Sequence, residues 1–426
     1  MLALSAGANA GIIIPAGDWT LDVNGNVNAF ANWTTYDGEN GDIVAGVLND
    51  NGSALNDANG EDNTQGINTG LLPAWLGFTG TTTQNGIDVS FTISMQPGAS
   101  DQGLTGDGAL TSSQTNTFLN RQTFLTFGTK EMGTIKLGKD LGIYASQAIL
   151  NDMTLLGVGA GAGNSGAGGN TTLGGIGTGY QYAGWKGQVS YTTPNFAGFQ
   201  ATIGIVNPNT DALGNGNVGG GPLGAETMFA DRFGVEGAAQ YEWTGDLSGK
   251  VWASFASYDV DYGDAVSAEN LLGDNLIGDS NQITSFDLGA TIKAGNFGLT
   301  GYWFEGNGTG TTLLGLWGVD AVGKKRKSDG GYLQATYVIP TGTKLGMSYG
   351  VTNLDETTND EAIVNGLGQL NALVDQSSRW TIGAYHPLTK HLNLVAEYND
   401  VEVQAHGSGI KDQEAKTFSL GAILFF

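Results

Sequence analysis

The sequence predicts an all-β chain that closes into a transmembrane antiparallel β-barrel of about sixteen strands. Three observations lead to this fold class: apolar and polar residues alternate, connections alternate between short and long, and the composition disfavours helices. Gly accounts for 71 of 426 residues, and each Gly in a helix interior costs about 1 kcal/mol relative to Ala. We therefore read the chain as one large β structure rather than as several soluble domains.

Strict alternation marks the segment AKTFSLGAILFF at residues 415–426. Successive strand side chains point to opposite faces, so one face carries Phe418, Leu420, Ala422, Leu424 and Phe426. The segments at 19–33 and 86–96 alternate in the same way, and each has a second, polar face. A strand with one apolar and one polar face suits a wall between lipid and water.

Connections between the predicted strands alternate in length. Short turns include TKEM, AGNF and PTG, and the long connections, rich in Gly, Asn and Asp, lie near 36–71, 97–116, 140–185, 207–230, 260–284, 306–329, 352–378 and 403–415. Outer-membrane barrels have short turns on the periplasmic side and long loops outside. The pattern predicts an even number of strands in a closed wall without an edge.

Charge and side-chain chemistry narrow the function. The formal net charge is −24 with only 17 basic residues, which disfavours nucleic acid, because its binding relies on Lys and Arg contacts to phosphates. The chain has no Cys, which excludes a disulfide framework and thiolate metal sites. His386, His391 and His406 stand in no recognisable catalytic pattern, so an enzyme is not predicted.

The first long loop concentrates acidic residues among Gly and Asn. Oxygen-rich loops suit Ca²⁺, although the spacing is not that of an EF-hand. Ca²⁺ binding and a solvated acidic loop are the two interpretations, and no other cofactor is expected. The acidic residues are Asp37, Asp42, Asp50, Asp57, Glu61 and Asp62.

Residues 1–10, MLALSAGANA, are interpreted as the remnant of a secretory signal peptide. A short apolar stretch precedes small residues in a cleavage-like pattern, without the basic region of a complete leader. The alternative is a flexible soluble N-terminus. With a signal remnant at 1–10, residues 11–426 form a single outer-membrane β-barrel.

Three segments resemble the trimeric general-diffusion porins of Gram-negative outer membranes. They are NRQTFLTFGTKEMGTIKLGKDLG, WKGQVSYTTPNFAGFQATIGIV and GAYHPLTKHLNLVAEYND, and the terminal Phe426 extends the likeness. The resemblance implies sixteen strands, a homotrimer, and a third loop at about 140–185 that folds inward to narrow the pore. It also implies contacts with outer-membrane lipids, lipopolysaccharide and the barrel-assembly machinery, with Phe426, Leu424 and Phe418 as the candidate assembly signal.

The same resemblance, carried over residue by residue, indicates a pore constriction. Arg121 stands at the place of a basic constriction residue and Asp152, in the third loop, at that of an acidic one. Lys186 has inward parity on its strand and is the candidate for a second basic residue. The second loop acid that is usual in the family is missing from residues 154–156.

The expected function is passive diffusion of small hydrophilic solutes and ions through a water-filled channel. An acidic chain whose Asp152 opposes only a few basic residues is expected to prefer cations mildly. Two alternatives stay open. One is a substrate-selective outer-membrane channel, and the other is an acidic surface β protein that acts as an adhesin or coat.

Overall fold

The computed structural model describes residues 11–37, 43–48, 63–99, 119–161, 171–208, 228–262, 280–312, 315, 317–320, 323–367 and 370–426. The predicted signal remnant lies outside the described residues. So do the acidic residues predicted for the first loop, apart from Asp37. Where the chain is described, it forms one antiparallel sheet whose ends meet.

Nineteen strand segments build this sheet in the described ranges: β1 (Ile12–Ala16), β2 (Trp19–Asp37), β3 (Asn63–Asn68), β4 (Trp75–Gln84), β5 (Ile87–Gln96), β6 (Leu119–Thr129), β7 (Gly133–Leu141), β8 (Trp185–Thr192), β9 (Phe199–Val206), β10 (Met228–Phe229), β11 (Gly234–Trp243), β12 (Leu247–Tyr262), β13 (Ser280–Ala294), β14 (Phe297–Asn307), β15 (Lys327–Val338), β16 (Lys344–Leu354), β17 (Val374–Pro387), β18 (Leu392–Ala405) and β19 (Gln413–Phe425).

The segments make up sixteen wall strands, as predicted. β3 and β4 are two parts of one strand, because both pair with β2. β10 and β11 both pair with β12 in the same way. β1 is a short arm that pairs only with the beginning of β2.

In the part of the chain that the structure describes, helices occur in two of the long connections. α1 (Ser146–Asn151) and a 3-10 helix (Met153–Leu156) lie between β7 and β8, and α2 (Thr358–Leu367) lies between β16 and β17. Among the described residues, no helix combines the length and the apolar character that a membrane crossing requires.

The seam between β19 and β2 closes the barrel. The two strands pair along almost all of β19, and backbone hydrogen bonds of 2.8 and 3.0 Å between Gly25 and Phe426 continue the ladder. On the inner face, the hydroxyl oxygens of Thr34 and Thr417 lie 2.9 Å apart across the seam. Closure pairs the edge groups of both strands, which is required because hydrocarbon offers no hydrogen-bond partner.

The outer face of the wall is apolar, and β19 shows this most plainly. Phe418, Leu420 and Leu424 are each 43–44% exposed, whereas Ser419 between them is fully buried. Phe426 has the same outward parity. The alternation predicted for this strand is therefore confirmed, and the role of Phe426, Leu424 and Phe418 as an assembly signal stays a prediction.

The inner face is mostly polar, but apolar side chains fill one sector at the long-loop end. There, residues of the first loop pack against the third loop, α2 and the ends of β2 and β16–β19. The buried members of this cluster are Tyr36, Ile43, Ala45, Val47, Leu48, Ala160, Leu354, Val364, Leu373, Val374, Val401, Val403 and Ala415. The first loop is therefore packed inside the barrel along this sector.

A charge on the outer face of β19 should destabilise the barrel. Leu420→Arg places a guanidinium near the middle of the strand, where lipid exposure costs about 2–4 kcal/mol. Leu420→Ala is the matched control, since it removes the side chain without adding charge. Urea titration in lipid vesicles, read by the mobility of unboiled samples on gels, measures the difference. Equal stability of the two variants would show that Leu420 does not face lipid.

Candidate functional site

The third loop lies inside the barrel. β7 ends at Leu141 and β8 begins at Trp185, so the loop spans residues 142–184, close to the predicted 140–185. Its described side chains are mostly buried against the inner wall. The inward fold implied by the resemblance is confirmed.

A buried carboxylate, Glu236 of β11, fixes the beginning of the third loop. One of its oxygens accepts hydrogen bonds from the backbone N–H groups of Ile143 and Tyr144, at 2.7 and 3.1 Å. The other accepts from the Lys186 ammonium group at 2.8 Å and from the Tyr258 hydroxyl. Both side chains of the Lys186–Glu236 ion pair are at most 2% exposed. Lys186 thus has the inward parity expected of it, but its charge is paired with that of Glu236.

A second buried carboxylate, Glu397 of β18, fixes the middle of the loop. One oxygen accepts from the N–H groups of Val158 and Gly159, both at 2.9 Å, and the other accepts from the Tyr385 hydroxyl at 2.6 Å. Charge-assisted hydrogen bonds of this kind are stronger than neutral ones. A Cβ atom at Gly157 would lie 1.9 Å from a Glu397 oxygen. Glycine therefore lets the loop backbone approach the carboxylate.

Asp152 lies between these two attachments and faces a basic residue that the sequence analysis did not identify. Its carboxylate accepts from the Tyr180 hydroxyl at 2.9 Å and lies 3.7 Å from the Arg379 guanidinium of β17. It also accepts from the Thr154 N–H at 2.9 Å, which caps the 3-10 helix. Burial, and then the charge of Asp152, raise the pKa of Tyr180 well above its ordinary value. Tyr180 therefore remains a neutral donor to Asp152.

Arg121 is not brought to Asp152. The β5–β6 ladder shifts register at Ser94/Met95, and Arg121 is the extra residue of this β-bulge. Its guanidinium lies 5.9 Å from the ring centre of Trp185. A bulge interrupts the inside–outside alternation of its strand, so parity along β6 does not give the direction of Arg121. A role of Arg121, Asp152 and Lys186 in the constriction stays a prediction.

A second inward segment, the β3–β4 connection (residues 69–74), interrupts one wall strand. Asn28 of β2 accepts from the Gly70 N–H and donates to the Leu72 carbonyl, both at 2.9 Å. Asn26 donates to the next backbone carbonyl, also at 2.9 Å. Neutral amide side chains thus satisfy backbone groups that the interrupted ladder leaves free. The Asn-rich inner face of β2 is the feature of the sequence that corresponds to these side-chain hydrogen bonds.

The two inward segments meet across the lumen. The Leu71 N–H donates to the Gly157 carbonyl at 2.9 Å, and the Thr172 N–H donates to the Gly70 carbonyl at 3.3 Å. A Cβ atom at Gly70 would lie 2.2 Å from the Gly157 carbonyl oxygen. The third loop is therefore attached to the wall at β11, β18 and the β3–β4 connection.

Glu236, Glu397 and Arg379 are the residues on which this arrangement depends, and the sequence analysis missed all three. Each is a charged residue in the interior of a strand, on the inner face of the wall. A charged residue with inward parity in a strand interior is a sequence signal from which all three could have been identified. Their partners in the third loop are far away in sequence and could not be found by parity.

The described residues contain no group of three or more His, Asp or Glu side chains that could hold a metal ion. Asp37, from the loop considered for Ca²⁺, pairs with Lys411 at 2.6 Å. The other acids of that loop lie outside the described residues, so Ca²⁺ binding there stays a prediction.

Removal of the Glu236 carboxylate should loosen the third loop. Glu236→Ala frees the N–H groups of Ile143 and Tyr144 and leaves Lys186 as an unpaired buried charge, at a cost of about 3–5 kcal/mol. Hydrogen exchange at residues 143–144 should accelerate, and the urea midpoint should fall. Glu242→Ala is the matched control, because Glu242 is an exposed acid on the inner face of the same strand. Equal effects of the two variants would contradict the assigned attachment.

Comparisons with known proteins agree with this geometry. A family profile described as Gram-negative porin matches residues 1–406. No curated protein sequence gives a significant match.

Solved structures with similar folds are outer-membrane proteins. The outer membrane channel DcaP of Acinetobacter baumannii has a TM-score of 0.66 at 14% identity, over 97% of this chain and 99% of that one. The anion-selective porin from Comamonas acidovorans has 0.59 at 16% identity, over 96% and 100%. In-vitro folded OmpT of Vibrio cholerae, in its trimer form, has 0.54 at 13% identity, over 96% and 99%. At such identities the likeness concerns the fold.

Proposed function

The chain belongs to the Gram-negative porin family, and on that premise we propose that it passes small hydrophilic solutes and ions by passive diffusion. Family membership identifies it as a channel of the outer membrane. The observation that carries the proposal is the division of the wall into an exposed apolar outer face and a polar inner face. An inner face of this kind holds water, and the inward fold of the third loop narrows the space.

We also propose that three copies assemble into a homotrimer. The trimer form of OmpT, which shares this fold, supports the proposal. Contacts with lipopolysaccharide and with the barrel-assembly machinery, as implied by the resemblance, belong to the same proposal.

Swelling of liposomes in sugars of increasing size tests the diffusion function. Vesicles that contain the folded protein should swell rapidly in small sugars and progressively more slowly in larger ones, because an unspecific aqueous passage sorts solutes by size. Boiled protein in the same lipid is the control. Swelling in one sugar irrespective of size would favour the substrate-selective alternative, and no swelling at all would exclude an open channel.

The cation preference expected from the sequence depended on an Asp152 that faces the passage. Asp152 is 5% exposed and is paired with Arg379, so that basis is weak. In our proposal, Asp152 positions the third loop, and selectivity is set by charges that solutes can reach. Exposed inward acids such as Asp88 of β5 are of that kind.

Asp152→Asn should therefore leave the reversal potential in a salt gradient close to that of the wild type. Asp88→Asn is the matched comparison, since the same chemical change at an exposed lumen position should shift the potential toward anions. Planar-bilayer recordings at low salt, where screening is weak, measure both variants. A larger shift for Asp152→Asn than for Asp88→Asn would show that permeating ions do reach Asp152.

A further inference from the structure

Three lysines face the lumen at the short-turn ends of their strands. Lys250 lies near the beginning of β12, Lys293 next to the end of β13, and Lys344 is the first residue of β16. Each shares the inward parity of buried polar residues on its own strand. We call these residues the lysine arc.

The members of the lysine arc act on one region of the lumen. Lys250 pairs with Thr291 in the ladder, two residues from Lys293, so the two lysines are diagonal neighbours on the inner face. The β13–β16 ladders lead from Lys293 to Gly346, two residues from Lys344. The three lysines therefore follow one arc of the inner face, from β12 to β16, at a similar distance from the short turns.

Aromatic rings and the third loop position two of the ammonium groups. The Lys344 Nζ atom lies 4.4 Å from the ring centre of Tyr385, and the Lys250 Nζ atom lies 5.4 Å from that of Trp252. Lys250 also donates to the Gln147 side chain of the loop at 2.6 Å. Cation–π contacts hold the charged groups against the wall without neutralising them.

Two buried carboxylates inside the barrel, Glu397 and Asp152, are engaged elsewhere. They are 1% and 5% exposed and accept the loop and wall hydrogen bonds described above. Within the described ranges, neither Lys293 nor Lys344 forms an ion pair. Solutes in the lumen thus meet ammonium groups rather than carboxylate oxygens on this wall.

The acids that solutes can reach lie beside or away from the lysine arc. Glu242 stands opposite Lys250 in the β11–β12 ladder and offsets part of its charge. Asp22 and Asp88 share the short-turn end but belong to β2 and β5, several strands away around the wall. Lys293 and Lys344 therefore carry most of the uncompensated charge.

The lysine arc lies on the short-turn side of the third loop, which is the periplasmic side in an outer-membrane barrel. Met153 of the loop packs over Gly346, where a Cβ atom would lie 2.8 Å from the Met153 sulfur. Lys344 is two residues nearer to the turn. A solute that has passed the loop reaches the lysine arc next.

We propose that the lysine arc is an anion-binding site that favours small multivalent oxyanions, carboxylates or phosphates, among the solutes of this channel. The inference rests on the proposed diffusion function. An oxyanion with several oxygens can contact two ammonium groups at once through charge-assisted hydrogen bonds. A monovalent ion such as chloride meets one at a time.

Reversal potentials in a KCl gradient test the electrostatic part. Lys293→Gln and Lys344→Gln should each lower the anion-to-cation permeability ratio about twofold at low salt, the effect of one unit charge several ångströms away in water, and less at 1 M salt. Lys293→Arg should behave like the wild type. Lys390→Gln, in an exposed turn outside the lumen, is the charge-matched control. Unchanged potentials in both Gln variants would overturn the proposal.

Block of the KCl current tests the site itself. Citrate or pyrophosphate on the periplasmic side should reduce the current more than the same anion outside, and the Lys293→Gln/Lys344→Gln double variant should lose this block. Block by citrate alone assigns the site to carboxylates, and block by pyrophosphate alone assigns it to phosphates. If the channel conducts but neither anion blocks it, or if the double variant is blocked to the same extent, the anion site is refuted and the diffusion function is not. A protein that conducts no current refutes the diffusion function.

Discussion

The whole structure depends on one requirement, that every backbone N–H and C=O group in the lipid-facing wall has a partner. The seam between β19 and β2 satisfies it for the two strands that would otherwise be edges. The interrupted strand β3/β4 shows how the requirement acts where the ladder is broken. There the Leu72 and Pro73 carbonyls and the Gly70 N–H bond to Asn26 and Asn28, so side chains of the neighbouring strand replace part of the missing ladder.

A related rule governs the interior, where a buried charge is stable only if its hydrogen-bonding capacity is filled. Glu236 and Glu397 obey it by accepting paired N–H groups from the third loop. The wall and the loop therefore stabilise each other, because each carboxylate loses two of its donors without the loop and the loop N–H groups lack acceptors without the wall. The position of the loop in the lumen follows from these attachments, which hold it against β11 and β18.

Alternation and loop length were sufficient to predict the wall. Both are local properties, and the side of each strand residue follows from its parity, as Phe418 and Lys186 show. The constriction could not be predicted to the same depth. A single inserted residue at Arg121 changes which side chains face inward, and a bulge leaves no mark in one sequence. The partner of Asp152 lies on β17, and only the three-dimensional closure of the barrel brings Arg379 to it.

The third loop and the β3–β4 connection are attached by different chemistry, and the difference follows from the backbone groups that each attachment has to satisfy. At the loop, Glu236 and Glu397 meet backbone N–H groups, which are donors only, and a carboxylate is the side chain that offers acceptors alone. At the β3–β4 connection, Asn28 meets both an N–H and a C=O group, and an amide both accepts and donates. The charge at one attachment and the neutrality of the other are therefore set by the direction in which the loop backbone presents its peptide groups.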